Sequence, residues 1–469
     1  MEFALATFLF IFLPAVFLLY LALPWAKLRN WLLIAASLVF YAWGEPLYVV
    51  LMVVSVTVNY LIARGIEKNE ENSGRQKALT VIAVIFNIGL LAGFKYSAFA
   101  VQTVNSLTGA ALPVPQVKSP LGISFFTFQA LGYVLDVRAR CIKAERSFSK
   151  VLLYISFFAQ LLQGPILKYT DIESELGERK LTAEGVAEGL RIFIIGLAMK
   201  LVIANTLGKV TASIFAIPAA ALNAPYAWAG AICFLFQIYF DFAGYSQMAI
   251  GLGQMFGFTI PRNFNYPYIS YSMTDFWRRW HITLSRWFRE HVYIPMGGNR
   301  RGALRTGLNK LTVFLLTGLW HGANWTFVVW GAYNGAFLLG ENYAKKAKLR
   351  IPKPITWVYT MLFVTIGFVI FNSPDMGYAC GMIKAMFTGF KVGADTWAGL
   401  SRLFSPMVIV TLVAAAVGAT PAAKLLFAKL SGKPRLALAL RLCSAVLLFA
   451  LCLFYVALGN YNPSIYTQF

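Results

Sequence analysis

His321 sits in Thr317-Gly-Leu-Trp320-His321-Gly-Ala-Asn324-Trp325, at the centre of a stretch, 311–340, that contains no charged residue. An ionisable side chain deep in an apolar segment is expensive and is a functional candidate by default. Burial disfavours the imidazolium, so the ring is expected to rest neutral and able to accept a proton. On a helix Thr317 and Asn324, at i−4 and i+3, share its face and can fix its tautomer, with Trp320 alongside. A packed, hydrogen-bonded histidine without chemistry fits the same residues. Gly318 with Gly322, and Gly331 with Gly335, form G-x-x-x-G pairs that permit close helix approach.

A second cluster lies in 274–291, Thr-Asp-Phe-Trp-Arg-Arg-Trp-His-Ile-Thr-Leu-Ser-Arg-Trp-Phe-Arg-Glu-His. At about 100° per residue, Phe276, Trp280, Trp287 and His291 share one face, and Arg278, Arg279, Arg286 and Arg289 gather opposite. The pattern reads as one amphipathic helix at the cytoplasmic interface, with Thr274 and Asp275 opening it. His281 and Ser285 fall at the boundary between the faces. A plain interfacial anchor needs the aromatics and arginines but not His281. The next turn, Tyr293-Ile-Pro-Met-Gly297-Gly298-Asn299-Arg300-Arg301-Gly302, could hold a phosphorylated donor, although its spacing alone favours a lipid headgroup. Lys200 follows eight apolar residues and reads first as a snorkelling side chain. Asp241 has Gln237, Tyr245, Ser246 and Gln247 close in sequence, and suits a hydrogen-bonded functional group or a scaffold ion pair.

The elements that must position these residues follow from composition. Of 469 residues 59% are hydrophobic and only 13% charged, and 41 − 19 gives a net charge of +22. Such basicity often marks a nucleic-acid partner, but the uncharged runs are long enough to span a bilayer, and no nucleic acid is expected. The runs are 3–24, 30–44, 46–63, 78–94, 119–135, 151–167, 192–208 (broken by Lys200), 226–257 (broken by Asp241), 311–340, 355–372, 406–423 and 442–458. The first Lys or Arg is Lys27, so 3–24 reads as a retained span. Basic residues collect so that both termini lie outside the cytoplasm. The alternation fails around 311–340, which either returns as two half-helices at His321-Gly322 or crosses once with a tilt. Five cysteines without C-x-x-C and three histidines without H-x-x-x-H predict neither disulfides nor a metal centre. P-loop and G-x-S-x-G motifs are absent.

Asp275-Phe-Trp-Arg-Arg-Trp-His281-Ile-Thr-Leu-Ser285, the 293–300 turn and Leu319-Trp-His321-Gly-Ala-Asn-Trp-Thr resemble the membrane-bound O-acyltransferases, closest to the branch that acetylates bacterial alginate. Gly122-Ile-Ser-Phe-Phe-Thr-Phe-Gln129, Gly164-Pro-Ile166, Asp241-Phe-Ala-Gly-Tyr-Ser246 and Asn263-Phe-Asn-Tyr-Pro-Tyr268 extend the likeness. The resemblance implies an all-α polytopic protein, a ring of about 10–12 transmembrane or re-entrant helices around a thinned centre with a catalytic funnel. It implies one integral domain over 1–469, with the motif core in 119–340 and peripheral spans in 3–94 and 355–458. The family's essential histidine maps onto His321 and its second onto His281, with Asn324, Thr317, Trp320 and Asp241 in support. Arg278, Arg279, Ser285, Arg300 and Arg301 would bind the donor. Implied too are acetyl transfer from acetyl-CoA, no bound cofactor or metal, an inner-membrane lipid setting and a periplasmic acetyltransferase partner.

The family often has Asp where this chain has Gln247, and a second Trp-His where it reads Tyr333-Asn334. The acceptor polymer therefore stays open between alginate, cellulose, another exopolysaccharide and peptidoglycan. D-Alanyl transfer to a cell-wall polymer and an acetyl channel or export component without catalysis are the competing functions. The topology predicts that cysteines introduced as Arg279→Cys and Arg286→Cys react only with reagents that reach the cytoplasm; labelling from the periplasm in intact cells would overturn it.

Overall fold

The structure is a computed structural model that describes residues 2–346, 351–429, 432–459 and 464–465. Every regular element among the described residues is helical. Tyr48–Lys68, Ser73–Thr108, Ala224–Met255, Lys353–Asn372 and Arg435–Ala457 are each long and apolar enough to cross a bilayer. Ala394–Leu403 and Pro406–Gly418, bent by 73°, count as a broken sixth. Within these spans burial separates two kinds of helix. Ala224–Met255 has 72% of its apolar window buried, against 6% for Arg435–Ala457. The first can therefore carry polar side chains inward, and the second leaves its surface to lipid.

The chain divides into two compact units, 1–193 with 246–261, and 194–245 with 262–469. In the first, α1 (Tyr48–Lys68), α2 (Ser73–Leu91) and α3 (Ile123–Arg138) pack together. Asn59 and Asn87, both fully buried, exchange side-chain hydrogen bonds at 3.2 and 2.8 Å and pin α1 to α2. The run 151–167 does not form a span, contrary to its hydropathy. Its helix, Phe148–Ser156, stops early and 157–167 continues as buried irregular chain. Gly164 lies so close to Gln160 that a Cβ would meet its Cα at 2.4 Å, and Pro165 has no N–H to extend a helix. Side chains satisfy the freed backbone: Gln160 Nε2 donates to the Tyr154 carbonyl at 2.6 Å, and the Tyr154 hydroxyl to that of Leu167 at 2.7 Å.

The second unit takes residues 224–245 of α4 (Ala224–Met255), which runs as one helix through Asp241. Residues 274–291 are not one helix. They form α5 (Met273–Arg279) and α6 (Ile282–Phe288), followed by a π-helical turn at Arg289–Tyr293. The break has a cause in the neighbouring chain. Asn265 N–H donates to the Arg279 carbonyl and Ile282 N–H to the Asn263 carbonyl, both at 2.9 Å, which withdraws those groups from a helical ladder. Between them His281 adopts a left-handed conformation, φ +44°. The cap of α5 is Ser272, whose Oγ accepts from Asp275 N–H at 3.0 Å, two residues ahead of the expected Thr274.

Next come α7 (Gly302–His321), α8 (Trp325–Lys346) and α9 (Lys353–Asn372). α7 and α8 form an antiparallel hairpin, so 311–340 reverses at His321 and is not a single tilted crossing. A Cβ on Gly318 would lie 2.3 Å from the Phe327 carbonyl oxygen, and one on Gly331 2.4 Å from that of Phe314. The G-x-x-x-G spacing thus brings backbone onto backbone. Gly331→Ala should lower stability by about 1–3 kcal/mol through overpacking, read as an earlier thermal unfolding transition in detergent. Gly340→Ala, with nothing within 4 Å of its Cβ, should be neutral or slightly stabilising.

Candidate active site

The hairpin tip carries His321 as the last residue of α7. Its buried ring meets Trp320, Trp330 and Phe371 edge-to-face, with centroids 5.0, 5.1 and 5.2 Å away. The helix ends here, so Thr317, one turn back in α7, shares a helical face with it as the spacing suggested, whereas Asn324 lies beyond the helix end and does not. The Thr317 hydroxyl donates to the Val313 carbonyl at 2.8 Å. Asn324 holds the turn: its Oδ1 accepts from Thr326 N–H at 3.1 Å, and its Nδ2 donates to the Pro374 carbonyl at 2.9 Å. It therefore caps α8 and ties the tip to the chain after α9.

His281 arrives from the break between α5 and α6. It is buried, not at the boundary between two media. Its ring lies 5.8 Å from that of Trp320 and 4.6 Å from that of Phe242 on α4. Trp320 thus touches both histidines and joins them in one aromatic cluster. The tautomer of His281 follows from Asn263. Asn263 Oδ1 accepts from Thr283 N–H at 3.2 Å and from the Thr283 hydroxyl at 2.9 Å, which fixes that atom as oxygen. It lies 3.2 Å from His281 Nδ1, so Nδ1 carries the proton and donates. Nε2 is then the lone-pair nitrogen, buried and without a hydrogen-bond partner among the described residues.

Burial pushes the His281 imidazolium down to about 3 from its ordinary 6.5, and the ring is neutral at working pH. Since the unfolded chain protonates more readily over that window, stability falls as pH drops from about 6.5 towards 3.

Asp241 does not touch the histidines. It faces Lys200, which is buried and ion-paired rather than snorkelling. Lys200 Nζ donates to Asp241 Oδ1, while Oδ2 accepts from the Ser464 hydroxyl and from Ile465 N–H, the latter at 2.9 Å. The aspartate is a satisfied junction, and its neighbour Phe242 supplies the wall against His281.

The proposed donor residues lie around the start and end of the broken segment and on the turn beyond. Arg278, Arg300 and Arg301 are exposed. Arg279 is half-buried, with Nε donating to Asp275 Oδ1 at 3.0 Å and Nη1 to the Asn265 carbonyl at 3.3 Å. Ser285 Oγ turns to the Trp277 carbonyl at 3.4 Å. Gly297, Gly298 and Gly302 take positive φ, the conformations the turn demands.

Asn263, Phe242, Trp330 and Phe371 are not among the expected site residues. Asn263 and Phe242 stand in motifs that carry the resemblance, without an assigned role; Trp330 and Phe371 look like ordinary core. A family model described as the membrane-bound O-acyltransferase family matches residues 121–373, the region that holds both histidines. The probable alginate O-acetylase AlgI of Azotobacter vinelandii is 38% identical over 83% of this chain and 78% of its own length. The peptidoglycan O-acetyltransferase of Helicobacter pylori is 36% identical over 81% of this chain and 78% of its own. The teichoic acid D-alanyltransferase of Bacillus subtilis is 29% identical over 55% and 70%. With this extent of match, and the motifs on one aromatic cluster, the chain belongs to the membrane-bound O-acyltransferase family and is a multi-pass O-acyltransferase.

Proposed function

We propose that the protein moves acetyl groups from acetyl-CoA on the cytoplasmic side of the inner membrane to an acceptor hydroxyl on the way toward an extracytoplasmic polysaccharide. The observation that carries this is the packing of both His281 and His321 against Trp320. In this reading His321 takes the proton of the acceptor hydroxyl as its oxygen attacks the acetyl carbon. The thioester C–S bond breaks, the coenzyme thiolate leaves and is protonated, and an acetyl ester forms. His281 Nε2, a fixed acceptor, orients a hydroxyl or holds an acetyl group in relay.

Relatives named as acetylating alginate and peptidoglycan support an acetyl group and a polymer acceptor. The D-alanyltransferases align over less of the chain and at lower identity, which favours acetyl over D-alanyl. A channel without catalysis has no support in a family of transferases. The exposed Arg278, Arg300 and Arg301 suit coenzyme phosphates, with Arg279 and Ser285 shaping the segment they flank. Both termini are periplasmic in this scheme, and a periplasmic acetyltransferase partner receives the group.

His321→Ala should lower acetyl transfer by about 10²–10⁴ while membrane insertion and donor binding stay near normal. His281→Asn, which tolerates the left-handed backbone, and Asn263→Ala, which removes the acceptor fixing the ring, should each be harmful with residual activity. Purified variants assayed with radiolabelled acetyl-CoA test this; near-normal transfer by folded His321→Ala protein would sink the mechanism. Replacing Arg300 and Arg301 together by Ala should raise KM for acetyl-CoA and make it more salt-sensitive. An unchanged KM with lower protein abundance would instead assign the turn to lipid.

A further inference from the structure

We propose that Glu341, with Asn334, is a positioning residue that holds His281 in register with His321, an inference that rests on reading the two histidines as the reaction centre. Trp330, Asn334 and Glu341 stand at i, i+4 and i+11 of α8, a spacing of about three turns that puts them in one stripe. Each meets a different part of the site. Trp330 packs on the His321 ring at 5.1 Å. Asn334 Oδ1 accepts from Trp277 Nε1, in the middle of α5, at 3.2 Å, while its Nδ2 donates to the Trp330 carbonyl at 2.8 Å.

Glu341 takes the start of α5. Its carboxylate accepts from Met273 N–H at 2.5 Å, Thr274 N–H at 3.0 Å and the Thr274 hydroxyl at 2.7 Å. A carboxylate at a helix N-terminus is favoured by charge and by the otherwise unpaired N–H groups. α5 has only seven residues and its far end runs directly into Trp280 and His281. So short a helix has no stability of its own and takes its place from what grips it. One stripe of α8 therefore touches the His321 ring and grips, at the middle and the start, the helix that delivers His281. Neither residue touches His281; both act through α5.

Glu341→Gln puts an amide N–H₂ where one oxygen now faces a donor, and Thr274→Val removes a single bond with little change of shape. Both should lower kcat for acetyl transfer with KM for acetyl-CoA within about twofold, Glu341→Gln by about tenfold or more, because a misplacement near 1 Å is enough for such a loss. Deuterium uptake by a peptide covering 273–282 should rise while uptake over 302–321 stays as in the parent protein. Glu341→Asp, which keeps the charge, should recover part of the rate. An unchanged kcat per folded molecule, a loss that tracks only the amount of folded protein, or unchanged uptake in 273–282 would each overturn the proposal. Normal transfer by His281→Asn and His321→Ala would instead fault the reaction centre, and the grip of Glu341 on α5 would then stand or fall on the uptake alone.

Discussion

Two backbones in van der Waals contact govern the site. Where α7 and α8 cross, Gly318 faces the Phe327 carbonyl and Gly331 faces that of Phe314, with no room for a methyl group. That closeness lets the chain reverse within three residues and leaves His321 at the tip, walled by Trp320, Trp330 and Phe371. A looser hairpin would move Trp330 off the ring and open the turn that Asn324 holds. Small residues here serve geometry first, and chemistry through it.

The other half of the centre is a broken helix. A left-handed conformation costs a non-glycine residue roughly 1–2 kcal/mol, and His281 keeps it because its surroundings leave no alternative. The chain at 263–265 bonds to the backbone on both sides of it, and Asn263 holds its Nδ1. The same contacts settle which nitrogen carries the proton. Strain, tautomer and burial are thus one arrangement, and it leaves a neutral acceptor nitrogen on a ring that packs against the tryptophan shared with His321. The Lys200–Asp241 pair stands one residue from Phe242 on α4 and fixes that wall with a closed set of bonds.

Much of this was legible in the chain because a bilayer imposes a simple demand. A crossing helix needs some twenty apolar residues, so Tyr48–Lys68 and Lys353–Asn372 stand where the uncharged runs put them. His321 is conspicuous for the same reason, as the one ionisable imidazole in a stretch of thirty residues without a charge. The failures are instructive too. Hydropathy measures what a segment can bury, not how it is folded, so 151–167 read as a span although Gly164 and Pro165 keep it irregular. Periodicity over 274–291 was real, yet the bonds that break that helix come from 263–265, outside any local window. Nothing in the spacing of 41 residues between Lys200 and Asp241 announces a pair. Trp330 and Phe371 look like core until the hairpin and α9 bring them to a histidine.

The central claim is that acyl transfer takes place beside Trp320, between a histidine at the hairpin tip and a histidine at the helix break. A structure of the protein in a lipid nanodisc with a non-hydrolysable acetyl-CoA analogue tests it most directly. The account predicts the acyl carbon in this cluster, with its oxygen or the adjacent sulfur surrogate about 3–3.5 Å from a ring nitrogen of His321 or His281. An ordered analogue whose acyl group lies away from both rings would contradict it.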